Sequence, residues 1–209
     1  MKRGLMVAVV TALIFSIASV SFAAANAFSD VPASHWAYNG VDNLAKNGII
    51  SYGDGNFFGN RNATRYEVAV MVANLYCKKK NMPFVTYSNP FSDVPSNHWA
   101  NRAVTTLAAE GLEEGDGDGT FRGSRNITRY EFATLIAKLL VSTDTNINYS
   151  KTNPFSDVPK GHKNYDGVMI AAGTGIVSGY EDGTFRGDKT LNRYEIAITL
   201  NKVYKILFD

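Results

Sequence analysis

The chain has 209 residues, a formal net charge of +2 and a single cysteine, Cys77. The length allows one core or a short array of repeats and excludes a large multidomain enzyme. Without Lys2 and Arg3 near the N-terminus, 19 basic residues face 19 acidic ones, so bulk charge does not favour a nucleic-acid partner. One cysteine supports neither an intramolecular disulfide nor a cysteine-based metal site.

Residues 1–27 have the composition of a signal peptide. Lys2 and Arg3 precede an uncharged stretch from Gly4 to Ser29, and the alanine-rich end of this segment offers Ala-x-Ala cleavage sites. We expect cleavage and export. An uncleaved membrane anchor is the alternative, because the uncharged run is long enough to span a bilayer.

One segment is repeated three times along the rest of the chain. The motif Phe-Ser-Asp-Val-Pro begins at Phe28, Phe91 and Phe155, and Arg-Tyr-Glu begins at Arg65, Arg129 and Arg193. Markers that keep their spacing over such lengths indicate a tandem repeat. We expect repeats and polar linkers in the order 28–80, linker 81–90, 91–141, linker 142–154 and 155–209.

The pattern within each repeat predicts two helices around a glycine-rich loop. The first helix begins near a His and carries an apolar stripe, which in repeat 1 includes Val41, Leu44 and Ala45. The loop contains Asp-Gly followed by Asn-Phe or Thr-Phe, which indicates a turn and then a buried aromatic residue. The second helix is amphipathic and begins at a capping box, in which Thr or Asn is followed three residues later by Glu.

The predicted fold class is therefore mainly all-α, with three helix-loop-helix repeats. A unit with two short helices buries too little apolar surface to be stable alone, and three units packed together bury enough. The repeats form either an open stack or a closed, pseudo-threefold ring. We favour closure, because no copy has an obviously polar capping face.

These motifs resemble the S-layer homology (SLH) domain over essentially the whole mature chain. Phe-x-Asp-Val, His-Trp-Ala, Gly-Ile, Asp-Gly-Thr-Phe and Ile-Thr-Arg-x-Glu carry the resemblance, in this order and spacing. It implies a pseudo-trimer in which one helix of each repeat enters a central bundle and the other forms a prong. Ligand grooves then lie between neighbouring prongs.

The resemblance also implies a function. SLH domains anchor exported proteins non-covalently to the cell wall, through secondary cell-wall polysaccharide, often pyruvylated, or through modified peptidoglycan. The expected location is the cell envelope, at the wall or S-layer or on the periplasmic face. Arg-Tyr-Glu, together with Phe-Arg-Gly in two copies, is closer to the SLH units of bacteria with an outer membrane, where the unit tethers that membrane to peptidoglycan.

The first candidate ligand residues are the arginines at the first turn of the second helix, Arg65, Arg129 and Arg193. Free N–H groups and the helix dipole favour an anion there, and a guanidinium holds a carboxylate by two parallel hydrogen bonds. A ketal-linked pyruvate or a sugar acid offers such a carboxylate. The alternative is a surface arginine paired with a neighbouring acid, which is worth about 0–1 kcal/mol.

Aromatic and acidic residues complete the candidate site. Trp36 and Trp99 begin the first helix, where an exposed indole stacks on a sugar ring and a buried one belongs to the core. Repeat 3 has Lys163 at this position, so the three grooves cannot be equivalent. The other candidates are one aspartate and one tyrosine from each repeat: Asp30, Asp93, Asp157, Tyr66, Tyr130 and Tyr194.

The roles of these residues are open at this point. The aspartates either cap the first helix or line the groove, and the tyrosines follow the arginines and so flank the same groove. We expect the Phe of each Phe-Ser-Asp-Val-Pro motif in the core. Each His is expected to be structural, with a hydrogen bond to a loop carbonyl.

No catalytic, metal-binding or cofactor-binding motif stands out. Glu114, Asp116 and Asp118 have the spacing of a calcium loop, yet Arg125 stands where a bidentate Glu is needed, so we expect a turn. Acids that recur in every copy at cap and turn positions do not form the facing pair of a glycosidase. The sequence also lacks a nucleophile motif and a phosphate-binding loop.

We therefore predict a non-catalytic module whose partner is a cell-wall glycan, either a pyruvylated polysaccharide or peptidoglycan, and which needs no cofactor or metal. The alternative is a structural coat or adaptor protein of the envelope whose main partner is a protein. A chain of this length leaves no separate domain to be anchored, which keeps this alternative open.

Overall fold

The computed structural model describes residues 28–51, 53–85, 87–143, 147–150 and 152–209. The predicted signal peptide at 1–27 lies outside these residues. Six helices occur in the described part of the chain: α1 (Tyr38–Lys46), α2 (Arg65–Lys80), α3 (Asn101–Ala109), α4 (Arg129–Ser142), α5 (Tyr165–Gly173) and α6 (Arg193–Phe208). The prediction of a mainly helical fold is confirmed.

Each repeat contributes two helices, as the sequence predicts, and the second is longer than expected. The short helices α1, α3 and α5 have nine residues each, and the long helices have 14 or 16. A complete capping box begins every long helix: the side chain of Thr64, Thr128 or Asn192 accepts the N–H three residues later, and Glu67, Glu131 or Glu195 accepts the cap residue's own N–H. These bonds satisfy N–H groups that a helix start otherwise leaves unpaired.

The short helices pack on the long helices of other repeats. Helix α3 packs on α2, α5 packs on α4, and α1 packs on α6, while α2 also contacts α4 and α6. Isolated antiparallel bridges link the repeats in the same cyclic order: Thr64 with Asn126, Thr128 with Thr190, and Asn62 with Asn192. The closed pseudo-threefold arrangement with a central bundle and prongs stays a prediction, which solution scattering of the chain would test.

The main hydrophobic core draws residues from all three repeats. It includes Phe28 and Leu75 of repeat 1, Phe121 and Ile136 of repeat 2, and Leu200 of repeat 3. The Phe residues of the three Phe-Ser-Asp-Val-Pro motifs are at most 8% exposed, so their predicted place in the core is confirmed. Among the described helices, none is long and apolar enough to cross a bilayer.

Candidate functional site: the grooves between repeats

Two grooves of the same construction lie between repeats. The repeat-3 groove is bounded by Arg129, the loop residues 176–178, helix α6 and Trp36, and has a volume of about 200 Å³. The repeat-2 groove is bounded by Arg65, the loop residues 112–116, helix α4 and Lys163, and has a volume of about 770 Å³. Each groove therefore combines residues from all three repeats.

The three candidate arginines share one structural contact. The Nε of each donates to the carbonyl oxygen of the loop Phe in another repeat, and the guanidinium lies over the ring of that same Phe. The Nε–oxygen distances are 3.0 Å for Arg65 to Phe121, 2.9 Å for Arg129 to Phe185 and 2.8 Å for Arg193 to Phe57. Every arginine thus joins two repeats, whatever else it binds.

Arg65 is fully engaged by protein groups. Its side chain is 4% exposed, its Nη1 lies 3.0 Å from Glu131 Oε1, and its Nη2 lies 3.2 Å from Glu113 Oε2. Burial raises the pKa of Glu113, while the charge of Arg65 opposes that rise. The guanidinium of the repeat-2 groove is therefore neutralised from within the chain.

Arg193 is also paired. Its Nη1 lies 2.8 Å from Glu67 Oε1, and the same carboxylate binds Arg61. Burial opposes ionisation of Glu67, but hydrogen bonds from Arg61 and from the Thr64 backbone, together with the charge of Arg193, hold the pKa of Glu67 below its usual value. This acid therefore stays charged and keeps Arg193 occupied.

Arg129 differs from the other two arginines. Its Nη2 donates to the Ser178 carbonyl oxygen at 2.9 Å, and its guanidinium carbon lies 5.2 Å from the centre of the Tyr180 ring. Within the described residues, no carboxylate lies within salt-bridge distance of Arg129. The repeat-3 groove thus presents a guanidinium that a ligand anion can reach.

The two tryptophans lie at the surface. Trp36 is 66% exposed and Trp99 is 62% exposed. Trp36 lines the repeat-3 groove, and its ring centre lies 5.7 Å from that of Tyr194. Lys163, which repeat 3 has in place of this Trp, lines the repeat-2 groove. The walls of the two grooves therefore differ at this position, as the sequence predicts. Exposed indoles of this kind can stack on a sugar ring.

The aspartates hold the glycine-rich loops in place. In each repeat, Oδ1 accepts the N–H of the loop Phe and Oδ2 accepts the next N–H, all at 2.7 Å. The second N–H belongs to a residue with positive φ, namely Phe58, Arg122 or Arg186. The alternative that Asp30, Asp93 and Asp157 cap the first helix is wrong, because both of their oxygens are taken up by the loop.

The tyrosines are buried at the boundaries between repeats. The rings of Tyr66, Tyr130 and Tyr194 lie 4.1–4.4 Å from the imidazole rings of His98, His162 and His35, respectively. Each hydroxyl donates to the carbonyl oxygen of an aspartate, for example Tyr66 to Asp93 at 3.2 Å. Tyr130 also contributes to the wall of the repeat-2 groove. Their main contacts are therefore with protein.

The histidines are structural, although with a different bond from the one expected. The Nδ1 of each accepts the backbone N–H two residues later at 3.2 Å, at the start of the short helix. The expected bond to a loop carbonyl is not found among the described residues. The acids that resemble a calcium loop are paired with arginines: Asp116 with Arg122 and Arg125, and Asp118 with Arg122.

The sequence analysis did not assign several polar residues of the grooves to the site, and four of them matter for the charge of the grooves. These are Glu113, Tyr180, Glu195 and Lys202, which line a groove or contact its arginine. For two of these residues, an alignment of the three repeats shows a change in residue type that could have pointed to them. Glu113 stands where the other repeats have Ile50 and Val177, and Tyr180 stands where repeat 2 has Asp116.

Comparisons with known proteins agree with this repeat structure. Cell surface glycoprotein 1 of Acetivibrio thermocellus is 34% identical over 184 residues, which are 83% of this chain and 8% of that protein. The outer membrane protein SlpA of Thermus thermophilus is 50% identical over 64 residues, which are 31% of this chain and 7% of that protein. The cellulosome-anchoring protein of A. thermocellus is 31% identical over 160 residues, with 74% of this chain and 34% of that protein covered.

The chain thus spans only a small part of these relatives' length. The family model of the S-layer homology domain matches three segments, 27–69, 90–133 and 154–197. Together they cover more than half of the chain, and each contains one of the three arginines that join the repeats. The chain therefore belongs to the S-layer homology domain family.

Proposed function

We propose that this chain is a non-catalytic module that anchors to the cell envelope by binding a wall glycan in its inter-repeat grooves. The observation that carries the proposal is the repeat-3 groove, which combines the unpaired guanidinium of Arg129 with the exposed indole of Trp36. The arginine binds an acidic group of the polymer, and the indole stacks on a sugar ring.

The names of the relatives support an envelope location. They include a cell surface glycoprotein, a cellulosome-anchoring protein, an outer membrane protein and several S-layer proteins. The ligand we propose is a pyruvylated secondary polysaccharide or peptidoglycan. Successive sites along such a polymer raise the effective concentration of ligand, so a weak groove suffices for anchoring.

The test is co-sedimentation of residues 28–209 with purified wall sacculi, for the wild-type chain and for Arg129→Ala. We expect Arg129→Ala to weaken binding about 10- to 100-fold, since a hydrogen bond to a charged group contributes roughly 1.5–3 kcal/mol. Trp36→Ala should also weaken binding. Arg102→Ala is the matched control, because Arg102 is an exposed arginine of α3 outside both grooves.

The same measurement separates the two glycans. Mild acid removes ketal-linked pyruvate and accessory polymers, so binding that is lost after this treatment identifies the secondary polysaccharide. Binding that persists identifies peptidoglycan. If neither preparation retains the chain, or if Arg129→Ala and Trp36→Ala both bind like the wild type, the groove proposal is wrong and a protein partner takes its place.

A further inference from the structure

The loops of repeats 2 and 3 place different side chains at equivalent backbone positions. The N–H of Glu113 bonds to the Leu107 carbonyl at 3.2 Å, and the N–H of Val177 bonds to the Ala171 carbonyl at 3.1 Å. Glu113 lies two residues after Gly111, and Val177 lies two residues after Gly175, the first glycine of each loop. A carboxylate at this position pairs with Arg65 in the repeat-2 groove, whereas Val177 offers Arg129 none. Repeat 1 has the apolar Ile50 here, and Arg193 is paired instead with the capping-box residue Glu67. Among the described residues Arg129 has neither kind of carboxylate partner.

A second difference lies three residues further along each loop. The backbone N–H of Asp116 donates to the carbonyl oxygen of Thr120 at 3.0 Å. The N–H of Tyr180 donates to the carbonyl oxygen of Thr184 at 2.8 Å, so the two residues have equivalent backbone positions. The Asp116 carboxylate pairs with Arg122 and Arg125. In repeat 3 the Tyr180 hydroxyl accepts a hydrogen bond from Lys189 at 3.0 Å.

The charged residues around the two grooves are paired differently. Arg61 and Arg125 pair with the capping-box glutamates of repeats 1 and 2, whereas Lys189, their counterpart, bonds to Tyr180. In the part of the chain that the structure describes, Arg129, Lys189 and Lys202 form no salt bridge, and neither does Glu195. Arg129 and Lys202 thus line the repeat-3 groove without a salt bridge, and Lys189 lies next to it beside Tyr180. In the repeat-2 groove the three arginines and Lys138 are paired, and among the described cations of that groove wall Lys163 is the one without a salt bridge.

We propose that, of the two groove arginines, only Arg129 of the repeat-3 groove accepts an acidic group of the ligand, and that Val177 and Tyr180 are the residues that keep it open. The inference rests on the proposed glycan-binding function and names the specificity determinants of that site. In the repeat-2 groove, Glu113 and Glu131 already occupy Arg65, which is almost fully buried. The acidic group, a carboxylate or a phosphate, binds Arg129, with Lys189 and Lys202 adding positive charge nearby.

The test places the repeat-2 carboxylate in the repeat-3 groove. Val177→Glu supplies Arg129 with an internal partner, and Val177→Gln is the matched control with the same shape and no charge. We expect Val177→Glu to weaken co-sedimentation with sacculi about tenfold or more, as expected for loss of one charge-assisted bond, and Val177→Gln to bind close to wild type. Glu113→Gln should bind like wild type, because Arg65 stays buried and paired with Glu131.

The outcomes separate this inference from the proposed function. Equal binding by Val177→Glu and wild type, or a loss in Glu113→Gln as large as in Val177→Glu, overturns the inference while wall binding stands. An equal loss in Val177→Gln also overturns it, because the effect is then steric. Failure of the wild-type chain to bind removes both proposals. Circular dichroism of each variant confirms that it is folded.

Two treatments of the sacculi identify the acidic group. Carbodiimide-mediated amidation neutralises carboxylates, and hydrofluoric acid removes phosphodiester-linked polymer. Loss of wild-type binding after amidation identifies a carboxylate, and loss only after hydrofluoric acid identifies a phosphate. Binding that survives both treatments overturns the proposal of an anionic ligand.

Discussion

At the scale of single residues, the aspartate of each repeat fixes a loop that carries the groove wall. Asp93 accepts the N–H groups of Phe121 and Arg122 with its two oxygens, both at 2.7 Å. Arg122 has a φ of 51°, in the left-handed region that costs a residue with a Cβ about 1–2 kcal/mol. The two charge-assisted bonds offset this cost and place the neighbouring Phe121 in the core.

Asp93→Ala should therefore lower the free energy of unfolding by about 2–4 kcal/mol, since two hydrogen bonds to a charged group are lost and two N–H groups lose their partner. Urea denaturation followed by circular dichroism measures the change. Asp42→Ala is the control, because Asp42 pairs with the exposed Lys46 on one helix face and such a pair contributes about 0.3–0.5 kcal/mol. Similar losses in the two variants would contradict the structural role of Asp93.

At the scale of elements, each long helix docks its first turn on another repeat. The capping box fixes the helix start, and the next residues are the arginine and the tyrosine that reach the neighbouring loop. The Tyr66 ring lies against Gly123, and a Cβ built on that glycine would overlap the ring. The absence of a side chain at Gly123 is thus what allows α2 to approach the loop of repeat 2.

Gly123→Ala should destabilise the chain by about 1–3 kcal/mol, as is usual for overpacking of a buried contact, and should displace the Tyr66 ring. The change in thermal midpoint measures the first effect, and near-ultraviolet circular dichroism of the aromatic rings reports the second. Gly161→Ala is the comparison, because a Cβ at Gly161 meets no atom within 4 Å. An unchanged thermal midpoint for Gly123→Ala would show that the loop moves away at little cost.

At the scale of the whole molecule, ion pairs between repeats couple its stability to pH. Burial opposes ionisation of Glu131, yet hydrogen bonds from Arg125 and the Thr128 backbone, with the charge of Arg65, hold its pKa at about 2, below the 4.5 of an unperturbed glutamate. A carboxylate whose pKa is lowered by folding stabilises the folded chain above pH 4.5, and this contribution is lost as the pH falls towards 2. Burial raises the pKa of Glu113, so ionisation of this residue destabilises the folded chain. Its contribution to stability is therefore lost as the pH rises, which is opposite to the effect of Glu131.

The thermal midpoint should therefore fall as the pH is lowered from 4.5 towards 2, and Glu131→Gln should flatten this fall while lowering the midpoint at neutral pH. Differential scanning calorimetry across this range measures both effects. Glu181→Gln serves as the control, since Glu181 is exposed and forms no salt bridge among the described residues. A Glu131→Gln profile parallel to that of the wild type would show that Glu131 does not carry the pH dependence.

The repeat, the positions of the helices and the candidate arginines and tryptophans can all be predicted from the sequence alone. These follow from local rules: the capping box at Thr128 and Glu131 marks a helix start, and the apolar spacing behind it indicates the buried face. Three copies of each motif made these patterns unambiguous. The sequence does not decide whether Trp36 is exposed, because a tryptophan at a helix start is compatible with either surface or core.

Which arginine has no carboxylate partner among the described residues depends on the tertiary structure. Arg65 and Arg129 have the same motif, helix position and loop contact, and they differ in carboxylates that lie 48 and 66 residues away from Arg65 along the chain. Pairing at such separations depends on how one repeat's loop meets another repeat's helix, which no local pattern encodes. For the same reason, the aspartates prove to be loop anchors: their partners lie 27–29 residues further on and are brought together only by the fold.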